Sequence, residues 1–183
     1  MNKNEIILIT GNESKVREYE RLLGMQLGHQ KLDLPEIQAT DVREVAMQKA
    51  THAYQIVGKP CLVDDSGLTI HAWGELPGAL IRWFIDNVGT TGILKMLTED
   101  QSRAATVTTA IGYCDQNGPK VYVGQLKGTI AHEPAGDNGF GYDEIFIPNS
   151  YTTTVAQMSS TDKDAISMRS IAAKEFKSDN YIC

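Results

Sequence analysis

The chain has 183 residues, a hydrophobic fraction of 42% and a net charge of -6, from 17 basic and 23 acidic residues. This length fits one domain over residues 1–183, and the acidic balance lacks the basic footprint that binding to a nucleic-acid polymer requires. No apolar run reaches the roughly 18 residues of a membrane span, so no membrane partner is expected. Three cysteines in no metal-ligand spacing fit a reducing compartment, and the polar start is no signal peptide, so a cytoplasmic protein is expected.

Strand-like and helix-like segments alternate along the chain, which predicts a layered α/β fold. Residues Ile6 to Ile9 read as a short buried strand. Asn12 then stands where a helix N-cap belongs, and Gly24 where that helix stops. A second helix is predicted over 41–57, ending at Gly58.

The second half of the chain is predicted to hold most of the sheet. "CLV" and "LTIHAW" read as strands around a "DDSG" turn, and "GILKML" lies in a short helix. "AATVTTAIGYC" and "KVYVGQLKGTI" read as strands joined at "DQNG". "STDKDAISMRSIAAKEF" is expected to form one closing helix, capped by Ser159 or Ser160.

The stretch "TGNESKVRE" opens the first helix directly after a buried strand. A helix start offers free backbone N–H groups, and Gly11 allows a ligand to approach closely. Lys15 and Arg17 oppose the helix dipole unless an anion is bound, so a polyphosphate would fit there. The alternative is a solvated face on which Glu13 and Glu18 balance the two bases.

Lys49 falls inside the apolar stripe of the second predicted helix. At about 100° per residue that stripe holds Val42, Val45, Ala46, Ala53, Ile56 and Val57. A lysine in this position requires either a carboxylate partner or a stem that carries its charge past the core to water.

Asp64 and Asp65 follow a short apolar run and form a carboxylate pair. One can hold a divalent cation while the other supports it or activates water, since Mg²⁺ takes one or two protein carboxylates and fills its shell with water and phosphates. Glu36, after Pro35, is a candidate third ligand. The alternative is that "DDSG" is an ordinary turn.

Taken together, these features resemble the inosine triphosphate pyrophosphatase family, which hydrolyses ITP, dITP and XTP to the monophosphate and pyrophosphate. The resemblance covers nearly the whole chain and rests on five blocks in order: "TGNESKVRE", "DLPEIQ", "LVDDSGL" with "LPG", "GFGYDEIF" and "STDKDAISMR". It implies one elongated α/β domain with a long, curved mixed sheet flanked by helices, two lobes around a nucleotide cleft, and a homodimer. Two alternatives remain: a metal-dependent pyrophosphatase for another modified nucleotide, and a non-catalytic nucleotide sensor.

The resemblance also implies roles for individual residues. Asp65 matches the general base and Asp64 its support, with Lys15 beside them, and Glu36 and Asp65 match the ligands of Mg²⁺, with Mn²⁺ as the alternative. The matched substrate-binding positions are Thr10, Gly11, Asn12, Lys15, Lys49, Ser66, Phe140, Gly141, Tyr142, Asp143, Lys163, Ser167, Met168 and Arg169.

The chain departs from the family pattern at two positions. Met168 stands where the family usually has histidine, and Gln157 where it usually has glutamate. A pocket that binds hypoxanthine must present donors to the 6-oxo group, and a thioether cannot donate. Substrate preference is therefore less determined by the sequence than reaction type.

Overall fold

The computed structural model describes residues 6–179, and within them it has seven strands and five α-helices. In chain order the strands β1 to β7 are Ile7–Ile9, Gly28–Gln30, Cys61–Ile70, Pro77–Gly78, Ala104–Asp115, Gly118–Ile130 and Phe146–Pro148. The helices α1 to α5 are Glu13–Leu23, Val42–Val57, Ile81–Met96, Ser160–Ile166 and Met168–Asp179. None of these helices is long and apolar enough to cross a bilayer.

All seven strands join one mixed sheet. Its order is β2-β1-β3-β5-β6-β7, and β4 pairs beside β3. β1 runs parallel to β2 and β3, whereas β4, β5, β6 and β7 make antiparallel pairs. The predicted α/β class with a mixed sheet flanked by helices is therefore confirmed.

The helices cover the two faces of this sheet separately. α1 and α5 pack with Leu8, Leu62 and Ile111 in one buried cluster. α2 packs on Val63 and Ala110 in another. Because Leu62 and Val63 are consecutive in β3, the two clusters lie on opposite faces.

The predicted "DDSG" turn is wrong, because β3 runs through it without a break. Its pairing with β5 is continuous from Cys61 opposite Cys114 to Ile70 opposite Ala105. Gly67 serves a close approach instead of a turn, since a Cβ there would lie 2.7 Å from the backbone of Gly78. The long-range ladder thus overrides the local turn propensity of Asp, Ser and Gly.

One edge of β3 pairs with β5, and the opposite edge is unpaired at its centre. β1 pairs with Cys61 and Leu62, and β4 pairs with Leu68 and Thr69. Among the strands described, none pairs with residues 63–67 on this edge. Side chains from both faces of β3 can therefore reach the same opening.

Local signals predicted the first two helices well. Asn12 caps α1 and Asp41 caps α2, while Gly24 and Gly58 end them with φ of 68° each. In the predicted α2 stripe Val42, Val45, Ala46 and Ala53 are buried, but Ile56 is exposed and Val57 is half-buried.

Two other helix predictions need correction. The helix expected only around "GILKML" is the end of α3, which begins at Ile81 and is kinked at Gly89, whose φ is 66°. The single closing helix is divided at Ser167, which is extended with ψ of 146° and separates α4, capped by Ser159, from α5. The strand expected at "LTIHAW" ends at Ile70 and continues as a short 3-10 turn.

Candidate functional site

A cleft of about 420 Å³ opens at the unpaired edge of β3. It brings together most of the residues that the sequence predicted for the site. They are Lys15, Glu36, Lys49, Asp64, Asp65, Ser66, Phe140, Gly141, Tyr142, Asp143, Lys163, Ser167, Met168 and Arg169. Its volume lies in the range typical of small-molecule sites.

Asp64 is buried in the cleft wall and fully engaged by cations. Lys15 Nζ donates to its Oδ1 at 2.8 Å, and Arg169 donates from Nε and Nη2 to its Oδ2 at 3.2 and 3.1 Å. Burial alone would raise the pKa of Asp64, but Lys15 and Arg169 outweigh burial and hold that pKa well below its usual range. Asp64 is therefore ionised throughout the physiological range.

Glu18 completes this network and was not predicted as part of it. Arg169 Nη1 donates to both oxygens of Glu18 at 2.9 Å, and the Glu18 side chain is only 15% exposed. The alternative in which Glu18 balances bases on a solvated face is wrong for this residue. The Glu13–Arg17 pair does lie on such a face. The glutamate lies one turn after Lys15 in "TGNESKVRE", so helical spacing was the signal that could have placed it at the cleft.

Asp65 is held differently from its neighbour. Lys49 Nζ donates to Glu36 Oε2 at 2.8 Å and to Asp65 Oδ1 at 3.4 Å. The predicted need of Lys49 for a carboxylate partner is thus confirmed. Asp65 Oδ2 is buried and accepts no hydrogen bond from residues 6–179. Burial, helped by the charges of Glu36 and Asp64 and opposed by Lys49, raises the pKa of Asp65 to about 6.

The Glu36–Asp65 pair fits a hard divalent cation. Both residues offer carboxylate oxygens as ligands. Within residues 6–179 the buried Oδ2 of Asp65 has no hydrogen-bond partner, which is costly unless a ligand uses it. No group of three or more His, Cys, Asp or Glu residues in the described chain is arranged around one metal position. A cation here would therefore take two carboxylates from the protein and its other ligands from water and phosphate.

The "GFGYD" loop is organised by Asp143. Its Oδ2 accepts from the backbone N–H of Phe140 at 3.1 Å and from Lys163 Nζ at 2.6 Å. Lys163 Nζ also lies 5.2 Å from the centre of the Phe140 ring. Arg169 Cζ lies 6.0 Å from the centre of the same ring. Phe140 is nevertheless 56% exposed, so part of its ring is accessible to a stacking partner.

Thr10, Gly11 and Asn12 lie outside the set of residues that line the cleft. Asn12 Oδ1 accepts from the backbone N–H groups of Ser14 and Lys15, at 2.9 and 3.3 Å, and Thr10 Oγ1 accepts from Asn12 N at 3.1 Å. They shape the helix start that carries Lys15 into the cleft. Their contact with phosphate stays a prediction.

The two departures from the family pattern have different surroundings. Met168 lines the cleft at the start of α5 and also packs in a buried apolar cluster with Ile85 and Tyr142. Gln157 lies outside the cleft lining, and it forms a reciprocal capping pair with Thr154. Its amide oxygen accepts there as a carboxylate would, so this departure leaves the local structure intact.

One wall of the cleft was not predicted from the sequence. It is formed by α3 and the residues just before it, and it contributes Ala79, Ile81, Arg82, Ile85 and Asp86. The signal was present in "LPGALIRWF", where the residues at 81, 82, 85 and 86 recur at helical spacing.

A cleft of buried carboxylates and cations at an open edge of a mixed sheet defines an α/β protein that binds a charged small molecule. The chain belongs to the Ham1 family, whose model matches residues 6–179. This match, together with the names of the relatives described next, confirms the predicted resemblance to the inosine triphosphate pyrophosphatase family.

Individual relatives are similar over nearly their whole length. The chain is 36% identical over 176 residues to the dITP/XTP pyrophosphatase of Methanopyrus kandleri, covering 94% of each chain. It is 40% identical over 179 residues to the inosine triphosphate pyrophosphatase of Yarrowia lipolytica, covering 94% of this chain and 93% of that one. The solved structure of a HAM1 protein from Coxiella burnetii superposes with a TM-score of 0.86 at 32% identity, covering 98% of this chain and 100% of that one.

Proposed function

We propose that this protein hydrolyses deaminated purine nucleoside triphosphates, namely ITP, dITP and XTP, to the nucleoside monophosphate and pyrophosphate. The observation that carries the proposal is the position of Asp65 in the cleft: its carboxylate bonds to Lys49, and its second oxygen is buried with no hydrogen-bond partner among residues 6–179. The names of the two relatives described above support the same substrate class.

The chemistry assigned to the cleft is attack of water on the α-phosphorus. A Mg²⁺ ion held by Glu36 and Asp65, with Mn²⁺ as the alternative, would neutralise charge on the phosphate oxygens. Asp65 orients the water and accepts its proton, the oxygen of the water stays on the monophosphate, and pyrophosphate leaves with the bonding electron pair. Lys15 and Lys49 line the same cleft, and their ammonium groups would offset the phosphate charge there.

The residues around Phe140 are assigned to the purine. Its exposed ring offers a stacking face, and Lys163 and Asp143 fix the loop that carries it. Ser66, Gly141, Tyr142 and Ser167 complete the lining. Asp64 bonds to Lys15 and Arg169, so we assign it the role of holding these two cations in place for the reaction.

A panel of triphosphates tests this assignment. ITP, dITP, XTP and ATP are incubated with the protein and Mg²⁺, and pyrophosphate and orthophosphate are measured separately. We expect pyrophosphate from the deaminated purines and little product from ATP. Orthophosphate as the first product would mean attack at the γ-phosphorus and would overturn the proposal. Turnover of a different modified nucleotide, which Met168 leaves open, would favour the first alternative, and binding without turnover would favour the sensor.

We also propose a cytoplasmic homodimer. Trp83, Val88 and Met96 of α3 are exposed apolar side chains that a second copy would cover. The free, buried thiols of Cys61 and Cys114 accord with a reducing compartment, whereas Cys183 lies outside the described residues. Light scattering after size-exclusion chromatography tests the dimer, and cell fractionation tests the location.

A further inference from the structure

Two cysteines lie directly opposite each other in the sheet, away from the cleft. Cys61 begins β3 and pairs with Cys114 near the end of β5, so their side chains point to the same face of the sheet. Both thiols are free, and the residues are 0% and 3% exposed. Neither lines the cleft, so the proposed reaction does not explain why they are paired.

The backbone hydrogen bonds around Cys61 determine the spacing of this pair. The carbonyl oxygen of Pro60 accepts from the N–H of Ile7 in β1 at 2.9 Å. Because the C=O and N–H of one trans peptide point in opposite directions, the N–H of Cys61 points toward β5. Cys61 and Cys114 therefore form a hydrogen-bonded pair, in which the Cα atoms typically lie about 5.5 Å apart. This spacing suits a disulfide, whose Cα atoms are usually about 4.4–6.8 Å apart.

A disulfide at this pair would nevertheless be strained. The Cβ atoms of directly opposite residues lie about 4.5–5.5 Å apart, with the larger values in hydrogen-bonded pairs, whereas a disulfide requires about 3.5–4.5 Å. Closing the bond must therefore draw the two strands together locally. Strain raises the reduction potential of a disulfide, so a strained bond is easily reduced. Such a pair stays as two thiols in a reducing compartment and closes when an oxidant is present.

The present contacts of the two sulfur atoms are weak. Cys61 Sγ donates to the carbonyl oxygen of Lys59 at 3.2 Å, and Cys114 Sγ donates to that of Asp115 at 3.8 Å. A thiol is a weak donor, so both contacts can be given up at low cost. The helix that covers the pair contributes small side chains to the same apolar cluster, namely Ala46, Ala50 and Ala53 of α2. The sulfur atoms can therefore turn toward each other.

We propose that Cys61 and Cys114 form a redox-sensitive site, which hydrogen peroxide converts reversibly into a cross-strand disulfide. The thiolate of one cysteine attacks a peroxide oxygen, the O–O bond breaks, and a sulfenic acid and one water form. The second thiolate attacks the sulfenic sulfur, which forms the S–S bond and releases a second water. The two sulfur atoms together lose two electrons to the peroxide, and the two thiol protons end in the water molecules.

Burial makes this oxidation slow. It raises the pKa of Cys61 to about 11 and that of Cys114 above its usual value, so little of the reactive thiolate is present at neutral pH. Access is provided by the position of the pair, because Cys61 and Cys114 form the last rung of the β3–β5 ladder. The ends of elements open more readily than their centres.

Thiol labelling with mass spectrometry tests the proposal on the folded, full-length chain. Cys183→Ser removes the third cysteine and serves as the starting protein. After treatment with hydrogen peroxide, then unfolding and alkylation, we expect Cys61 and Cys114 to lose their labels together and their peptides to be joined by a disulfide. Dithiothreitol should restore at least about nine tenths of the labelling, since a disulfide can be reduced and a sulfinic acid cannot.

Two variants of the starting protein are the controls. Cys61→Ser should give no internal disulfide. Ala110→Cys combined with Cys114→Ser moves the second thiol along β5 to a buried position in the same cluster, opposite Asp65. That position is about 13 Å along the strand from the original one, so the yield of disulfide should fall by at least about tenfold. An equal yield would mean that the bond forms in unfolded chains and would overturn the inference. So would a starting protein whose two thiols stay open to alkylation, or are oxidised without joining.

Discussion

Asp64 and Asp65 are consecutive in β3, yet they bond on opposite faces of the sheet. Asp64 accepts from Lys15 of α1 and Arg169 of α5 through both of its oxygens. Asp65 accepts a long bond from Lys49 of α2 through one oxygen, while the other has no partner in the described part of the chain. The same residue type at adjacent positions therefore serves two purposes: the first carboxylate anchors cations, and the second is left free for a ligand.

Asp64→Asn should destabilise the protein strongly. The amide cannot balance the ammonium of Lys15 and the guanidinium of Arg169, and breaking a buried pair of this kind costs about 3–5 kcal/mol. Urea unfolding in metal-free buffer measures the free energy of unfolding. Asp65→Asn is the matched comparison, because Lys49 keeps its bond to Glu36 and Asp65 Oδ2 has no partner to lose among residues 6–179. Its free energy of unfolding should change by less than about 1 kcal/mol. Equal losses in the two variants would contradict the assignment of Asp64 as the anchor.

Asp65→Asn should abolish most turnover while the protein stays folded. The substitution keeps the shape of the side chain but removes the charge that binds a cation or accepts a proton. We expect less than about a tenth of the wild-type kcat for ITP, a loss of more than about 1.4 kcal/mol. Asp33→Asn, at an exposed position outside the cleft lining, controls for the loss of one negative charge. A variant that kept more of its activity would show that Asp65 is not the base.

How far the sequence determines this site can be seen residue by residue. Asn12, Gly24 and Gly58 act through their nearest neighbours, so their caps were predictable. The inward position of Lys49 followed from helical periodicity, and its need for a carboxylate followed from burial. These predictions succeeded because each depends on residues that are close together in the sequence.

Other failures involve contacts between distant parts of the chain. Asp64 to Gly67 have the composition of a turn, but pairing with β5, more than 40 positions away, extends them as a strand. The bond between Glu18 and Arg169 spans 151 positions, and periodicity in either helix cannot specify it. The cleft wall that holds Arg82 was not predicted, since it exists only once α3 has packed across the opening.

Cation binding should depend on pH through Asp65. Its pKa is raised to about 6, mainly by burial, so below that pH the carboxyl is protonated and a cation must displace the proton. The affinity for Mg²⁺ should fall by about tenfold per pH unit below about pH 6 and be flat above it, as expected for one linked proton. Calorimetric titration between about pH 5 and pH 8 measures this dependence without turnover.

Asp65→Asn supplies the control for that titration, because it should remove both most of the affinity and its pH dependence. Affinity that is constant across the range in the wild-type protein would show that the cation does not bind Asp65.

Met168→His should strengthen discrimination between ITP and ATP. Met168 lines the cleft at the start of α5, and its thioether cannot donate to the 6-oxo oxygen of hypoxanthine. The neighbouring Arg169 is held by Asp64 and Glu18, so it does not readily supply the missing donor. An imidazole N–H directed at the base would add a hydrogen bond that adenine cannot accept at its amino group. Because an unpaired hydrogen-bonding group costs about 1–3 kcal/mol, the ITP-over-ATP ratio of kcat/KM should rise by about tenfold or more.

The contrary expectation comes from the packing of the same side chain. Met168 is buried among apolar residues that include Ile85 and Tyr142, so it can fill space beside the purine ring without contributing to discrimination between bases. Met168→Leu distinguishes these possibilities, since it keeps an apolar side chain and adds no donor; its ratio should equal that of the wild type. Both variants are compared with the wild type for both substrates, with thermal unfolding to confirm that the imidazole is tolerated. If Met168→His folds normally and leaves the ratio unchanged, the base is recognised by other groups, and the replacement of histidine by methionine is a change in packing.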